Sequence, residues 1–262
     1  MTHPPSHRWV EIPAPAFGAR AADWIAVLPL AAVEQHGPHL PTGVDLFVAE
    51  ALVDRVIARL PQGSPAVFLP PMAVGKSDEH IAFPGTLTLG WDTAIRWMLD
   101  LGDSVQRAGL RRLVLVTSHG GNVPAMEIAA RDLRLRHGMQ VVTTAWGRLR
   151  DAADLHDPAT AAFDIHAGTA ETAWMLAHRP DLVDLSRARD FASPQRDLAA
   201  RGGLLGYHGA RANMAWVAED LNPAGPSGNA DAARADHGAT DLDRMAEGLV
   251  CLLAEIAALP AR

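Results

Sequence analysis

Lysine and cysteine are almost absent from this 262-residue chain: Lys76 is the one lysine and Cys251 the one cysteine. A single cysteine excludes an intrachain disulfide and any cysteine-based zinc site. Cys251 sits in the apolar run 249–253, so it is expected to be a buried small hydrophobe and not a catalytic thiol. Long apolar runs are also missing. The longest, 24–33, has ten residues and contains Pro29, which is too short to span a membrane. The opening MTHPPSHRWVEIPAPAFGAR lacks the apolar stretch of a secretory signal, so a cytoplasmic protein without a membrane partner is expected. Positive charge is scarce as well. Twenty-three Lys and Arg against 30 Asp and Glu leave a net −7 with no basic cluster, a poor match for nucleic acid.

Several catalytic signatures fail on their particulars. Gly75-Lys76-Ser77 resembles the end of a phosphate loop, but the first glycine that loop needs is Pro70 here. There is no Gly-x-Ser-x-Gly nucleophile elbow. No Gly-x-Gly-x-x-Gly follows a strand.

What is present is an ordinary globular composition, 48% hydrophobic and 20% charged, in a chain long enough to bury a large core. Residues 24–30 and 66–69 read as short strands, and the continuous LVLVT at 113–117 reads as a strand buried on both faces, as in parallel sheets. Residues 140–145 read as a further strand. Helical spacing marks 46–60, 93–109, 123–137, 171–178 and 241–258. Asn122 is a candidate N-cap for the third of these, Pro124 suits its first turn, and Gly138 suits its end. The alternation predicts one α/β domain over 1–262. The stretch 186–213 has no clear period and suits a lid, a site edge or a subunit contact. Trp146, Trp174 and Trp216 are pocket candidates, but at least two of the three are expected to be packing residues.

Three polar clusters follow apolar strands or open helices, the places where open α/β sheets bind ligands. In Glu34-Gln35-His36, the carboxylate and the imidazole are two residues apart and share one side of an extended segment. Asp45 then opens a helix, where a carboxylate suits the helix dipole. Next, Ser118-His119-Gly120-Gly121-Asn122 places a histidine at a strand's carboxyl end, followed by backbone groups able to meet an anion or developing oxyanion. Last, Asp164-Ile165-His166 leads into a helix with Glu171 in its first turn. Carboxylates with imidazoles suit zinc, manganese or iron and are the material of metal-assisted hydrolysis. Each cluster alone also admits a plain reading, as a capped loop or a satisfied histidine.

The segments LAAVEQHGPHLPTGVD (30–45), GKSDEHIAFPGTLTL (75–89), LVLVTSHGGN (113–122) and DIHAGTAETAWML (164–176) resemble, in order and spacing, the four signature blocks of the creatininase family. The stretch LNPAGPSGNADAARADHGA (221–239) is similar to that family's C-terminal region. The resemblance implies a three-layer α/β/α sandwich with a mostly parallel sheet, a homo-oligomer (usually a hexamer), and two divalent metal ions per chain. It also implies ligands Glu34, His36, His119 and a bridging Asp45, with His166 as general base or proton shuttle. Creatininase itself carries a Glu where this chain has Gly121; in the His-Gly-Gly-Asn branch Glu171 would stand in as ligand and catalytic carboxylate. His80 is a candidate to orient substrate, although it equally suits a loop histidine bonded to backbone, and Gly120, Gly121 and Asn122 are candidate substrate contacts through their backbone groups. The implied activity is hydrolysis of a carbon–nitrogen bond in a small molecule other than creatinine, such as a cyclic amide or formamide. A lactone or cyclic-ketone hydrolase shares the same site. A non-catalytic metal-containing binding protein is the third reading, motivated by Gly121 and by Thr169, where many members carry Glu.

Overall fold

The structure is a computed structural model, and it describes residues 3–150, 154–155 and 158–260. Its centre is a four-stranded sheet: β1 (Ile25–Leu30), β2 (Ala66–Phe68), β3 (Arg112–Thr117) and β4 (Gln140–Ala145), in the order β2-β1-β3-β4. Every pairing is parallel, with Leu30 opposite Thr117 and Thr117 opposite Ala145 at the carboxyl edge. Between them run α1 (Val44–Arg59), α2 (Trp91–Arg107) and α3 (Val123–His137). The second half adds α4 (Pro158–Ala161), α5 (Thr169–His178), β5 (Asp190–Phe191), α6 (Gln195–Ala200), β6 (Leu205–Gly206), β7 (Ala212–Asn213), α7 (Ala218–Leu221), β8 (Gly228–Asn229) and α8 (Ala235–Ala258).

Strand periodicity sorts the core into two layers. Ile25, Val27, Val114 and Val116 face α1, α5 and α8, meeting Val48, Leu52, Met175, Leu242 and Leu249. Ala26, Leu28, Leu30, Leu113 and Leu115 face α2 and α3, meeting Met98, Val105, Met126 and Leu133. This is the expected α/β/α sandwich, and all six residues of β3 are buried. Each such Leu or Val contributes roughly 1.5–3 kcal/mol by leaving water. Nothing larger than hydrogen fits at Gly238, because a Cβ there would overlap the carbonyl of Ala173; α5 and α8 touch backbone to backbone at that point.

Chain direction positions the site. After β1 the chain crosses through α1 to β2 on one side. After β3 it crosses through α3 to β4 on the other side and the opposite face. The carboxyl ends of β1 and β3 therefore flank the switch point where open α/β sheets take ligands.

Several expectations shift. α8 starts at Ala235 and not near 241, because its first residues, including Gly238 and Thr240, have low helix propensity and are held helical by packing on α5. Asn122 does not cap α3: its backbone is already helical and its side chain points inward. Gly138 does end α3, in the left-handed conformation at φ 66°. Cys251 is exposed, not buried, because the inner stripe of α8 runs through Leu242, Met245, Leu249, Leu253 and Ile256, and Cys251 falls outside it. Among the described residues, no helix is long and apolar enough to cross a membrane.

Candidate active site

Four segments meet at the carboxyl edge of β1 and β3. Glu34 and His36 come from the extended stretch after β1, Asp45 from the first turn of α1, His119 from the residue pair after β3, and His166 and Glu171 from the entry to α5. Glu34, His36, Asp45, His119 and His166 are all buried, and Glu171 is partly buried. Three groupings hold ligand atoms within 4.8 Å of one another: Glu34, Asp45 and His119; His36, Asp45 and Glu171; and Glu34, His36 and His166.

Hydrogen bonds to carbonyls settle which imidazole nitrogens are free. His36 donates from Nδ1 to the carbonyl of Glu34 at 3.0 Å, so Nε2 keeps its lone pair. That nitrogen lies 3.8 Å from Asp45 Oδ2 and 3.6 Å from Glu171 Oε2. His119 donates from Nε2 to the carbonyl of Lys76 at 2.8 Å and turns Nδ1 to Glu34 Oε2, 3.2 Å away. His166 donates from Nε2 to the carbonyl of Gln35 at 2.6 Å, which leaves Nδ1 3.6 Å from Glu34 Oε1 and 4.0 Å from Glu171 Oε2. In each ring the nitrogen not bonded to a carbonyl thus faces a carboxylate oxygen. Glu34 Oε2, His36 Nε2 and Asp45 Oδ2 are buried with no hydrogen-bond partner. A buried polar atom without a partner costs ~1–3 kcal/mol, and a converging set of acceptors is the donor arrangement a divalent cation completes. The residues therefore fit such an ion.

Protonation follows the same crowding. Burial pulls the His119 imidazole down, but the Glu34 carboxylate outweighs it and pushes His119 up to about 10. Burial raises Glu34, and His119 with His166 and His80 overcomes this to hold it well below the usual carboxylate range. Asp45 is raised well above its ordinary value, first by burial and then by Glu34. Burial raises Glu171 as well. His36 is lowered to about 3 and His80 to about 2, each by burial and then by His166.

The third cluster is shaped by backbone. Asp164 accepts from the N–H groups of Thr169 and Ala170 at 2.8 and 2.9 Å and so closes the start of α5. Ala167, buried between His166 and Gly168, has φ 50° and donates its N–H to Glu171 Oε2 at 2.5 Å. A non-glycine residue in that conformation costs about 1–2 kcal/mol; here it turns His166 and Glu171 toward the same point. Thr169 faces elsewhere, donating from Oγ1 to the carbonyl of Asn229 at 2.6 Å.

The cluster opens into a cavity of about 250 Å³ whose wall includes His80, Gly120, Gly121, Ile165, His208 and Trp216. Asn122, expected among the substrate contacts, is not on that wall. It is fully buried, accepts from the Lys76 N–H at 2.9 Å, and donates to the carbonyl of Ala31 and the hydroxyl of Thr117. It ties three segments together beneath the site. Trp146 is core and Trp174 packs against the core, donating to Asp241 at 2.7 Å. Trp216 is the one of the three tryptophans on the wall. The aperiodic stretch 186–213 supplies His208 to that wall, so part of it is a site edge.

Sequence reading passed over Glu79, His208 and Gln35. Glu79 lies in a single 3-10 turn, Asp78–His80, with Oε1 3.5 Å from His119 Nε2. Its adjacency to His80 in the second block was the available signal. Position 121 carries no carboxylate, and none would fit. A Cβ there would overlap His119 Nε2 and the Lys76 carbonyl and lie 2.7 Å from Glu79 Oε1.

The family model described as creatininase, creatinine amidohydrolase, matches residues 10–253. A mycofactocin precursor peptide peptidase of Mycobacterium ulcerans (strain Agy99) is 36% identical over 191 residues, covering 69% of this chain and 71% of that one. A creatinine amidohydrolase of Pseudomonas putida is 36% identical over 187 residues, 65% of this chain and 70% of that one. A solved manganese creatininase superposes with a TM-score of 0.75 at 25% identity, covering 97% of this chain and all of the other. With the family model spanning nearly the whole chain and both relatives hydrolytic, this protein belongs to the creatininase family and is an enzyme of the hydrolase class.

Proposed function

We propose that this enzyme hydrolyses a carbon–nitrogen bond of an amide, with a pair of divalent cations (zinc, manganese or iron) held by Glu34, His36, Asp45, His119 and Glu171. The observation that carries the reading is the set of buried, partnerless acceptors at Glu34 Oε2, His36 Nε2 and Asp45 Oδ2, which share overlapping groupings of possible ligands. Glu34, His36 and Asp45 each belong to two of the three groupings, and of these Asp45, which links the His119 grouping to the Glu171 grouping, is the bridge the family resemblance implies. Bound cations of this kind activate water near neutral pH and polarise a carbonyl.

The chain's own groups do the rest. His166 is locked with its proton on Nε2, so Nδ1 is an open base facing the carboxylates. It takes the proton shed by the attacking water and returns it to the leaving nitrogen. Glu171 orients that exchange from the other side, its own Oε2 held by the Ala167 N–H. The protonated leaving group favours amides over lactones, because an amide nitrogen leaves only after it gains a proton. Gly120 and Gly121 line the wall, and their backbone N–H groups are the donors proposed to meet the carbonyl oxygen. Among the described residues no Lys or Arg lines the cavity, and Ile165 and Trp216 supply apolar surface, so the substrate reads as uncharged at its reacting end. A cavity of about 250 Å³ suits a small cyclic amide, a formamide or the end of a peptide. The family resemblance adds a homo-oligomeric enzyme.

Elemental analysis of purified protein tests the centre. One to two transition-metal ions per chain are expected, and Asp45→Ala should lose both together. A screen across cyclic amides, formamides, peptides and lactones then finds the substrate. Protein stripped by a chelator that still hydrolyses that substrate at the original rate refutes the scheme.

A further inference from the structure

Gln35 stands between two site residues, yet its side chain points to the far end of the chain. Its Oε1 accepts from the Gly37 N–H at 2.9 Å, and its Nε2 donates to the carbonyl of Gly225 at 3.2 Å. A backbone N–H only donates and a carbonyl only accepts, so these two contacts fix which end of the amide is which. Gly225 can approach this closely because it has no side chain: at φ 99°, a Cβ there would overlap Gln35 Oε1.

The remaining proton on Gln35 Nε2 points to His80 Nδ1, 2.9 Å away. That nitrogen must accept, so the ring carries its proton on Nε2. His80 Nε2 in turn lies 3.4 Å from Glu34 Oε1, and the ring packs over His166 with centroids 4.2 Å apart. The buried ring is thus hemmed in on three sides.

We propose that Gln35 is a positioning residue that pins His80 in its Nε2–H form, so that His80 turns its N–H toward Glu34 Oε1, is never a metal ligand, and leaves Glu34 Oε2 as the open ligand atom. The tautomer follows from the hydrogen bonds alone; its consequence for Glu34 rests on the metal-centre reading above. Second-layer partners that orient a ligand typically change metal affinity or activity by about 10- to 100-fold when altered.

Gln35→Glu is the test. A carboxylate at this position cannot donate to His80 Nδ1; it accepts there instead and draws the ring proton from Nε2 to Nδ1. The readouts are histidine 15N NMR of the full chain, with and without zinc, and zinc affinity by chelator competition. The His80 signal is identified by its loss in His80→Asn. Wild type should show a pyridine-like Nδ1 and a pyrrole-like Nε2, reversed in Gln35→Glu, with zinc affinity about 10- to 100-fold lower and the circular dichroism unchanged. If Gln35→Glu does not fold, Gln35→Met serves, and His80 should then lose its single tautomer. A proton on Nδ1 in the wild type, or an unchanged tautomer in the variant, overturns the proposal. So does a reversed tautomer with unaltered zinc affinity. If wild type binds no zinc, the metal-centre reading falls, while the metal-free spectrum still decides the tautomer.

Discussion

Gly121 offers the sharpest test, because sequence pattern and geometry predict opposite signs. Creatininase carries a glutamate at this position, so Gly121→Glu ought to restore a ligand. The structure says it should do damage. The added Cβ would overlap His119 Nε2 and the Lys76 carbonyl and press on Glu79 Oε1 at 2.7 Å. The Glu79 carboxylate can swing away, but the other two cannot yield easily. His119 is buried and tied by its Nε2–H to Lys76 at 2.8 Å, and the Lys76 N–H is itself held by Asn122 at 2.9 Å. Losing that hydrogen bond costs about 1 kcal/mol, and overpacking a tight site costs about 1–3 kcal/mol more. Gly121→Ala should therefore lose roughly 2–4 kcal/mol of stability in urea unfolding, and Gly121→Glu at least as much. Because His119 is displaced, both should also bind zinc about 10- to 100-fold more weakly. Wild-type stability together with tighter zinc binding in Gly121→Glu would refute the steric argument and show that the missing ligand had merely been deleted.

The metal-free protein should lose stability as pH rises from about 6.5 toward 10. His119 is raised from 6.5 to about 10 in the folded state, so its contribution is complete below 6.5 and gone above 10. Asp45 and Glu171, both raised by burial, ionise at a cost in the same direction. Bound zinc displaces these protons, so the gap in melting temperature between zinc-loaded and stripped protein should widen across that window; a gap that narrows contradicts the ligand assignment. Titration of stripped protein with zinc at neutral pH should release protons, visible as a binding heat that changes with the buffer's ionisation enthalpy. Cys251, on the outer face of α8, should react with a thiol reagent in the folded protein, and Cys251→Ser should shift stability by less than about 0.5 kcal/mol. Reaction only after unfolding would show that another surface covers it.

The parts of this fold that were legible are those where one physical rule dominates. LVLVT reads as a doubly buried strand because a central parallel strand needs apolar residues on both faces, and β3 is buried throughout. The alternation of Glu34, Gln35 and His36 reads correctly for the same geometric reason: in an extended segment the outer two share a side and the middle one is thrown to the other. What alternation cannot say is where the middle one lands, and Gln35 reaches Gly225, 190 residues away. Cys251 failed because an apolar run in a helix looks uniform along the sequence, whereas only one stripe of the helix is covered. Asn122 failed because a residue before a helix and a residue beneath a site have the same local pattern; its three inward hydrogen bonds are all to distant segments or to the strand behind it.

The site residues divide along the same line. Glu34 and His119 follow β1 and β3, which are direct neighbours in the sheet, with Leu30 opposite Thr117. Adjacent parallel strands run about 4.8 Å apart, so residues just beyond their carboxyl ends must meet, and sequence placing both strands already brings these two together. Glu171 has no such guarantee. It rides on α5, which packs closely on α8 where Ala173 meets Gly238, some sixty-five residues later in the chain. Nothing near Glu171 encodes that contact, and only the order of the four sequence blocks pointed to it. The ligands carried by the sheet edge are therefore fixed by topology, while the one carried by α5 depends on local bonds from Asp164 and Ala167 together with a close backbone contact at Gly238 in a distant helix. It follows that substitutions at Gly238 should weaken metal binding at the His36–Asp45–Glu171 grouping before they disturb Glu34 and His119.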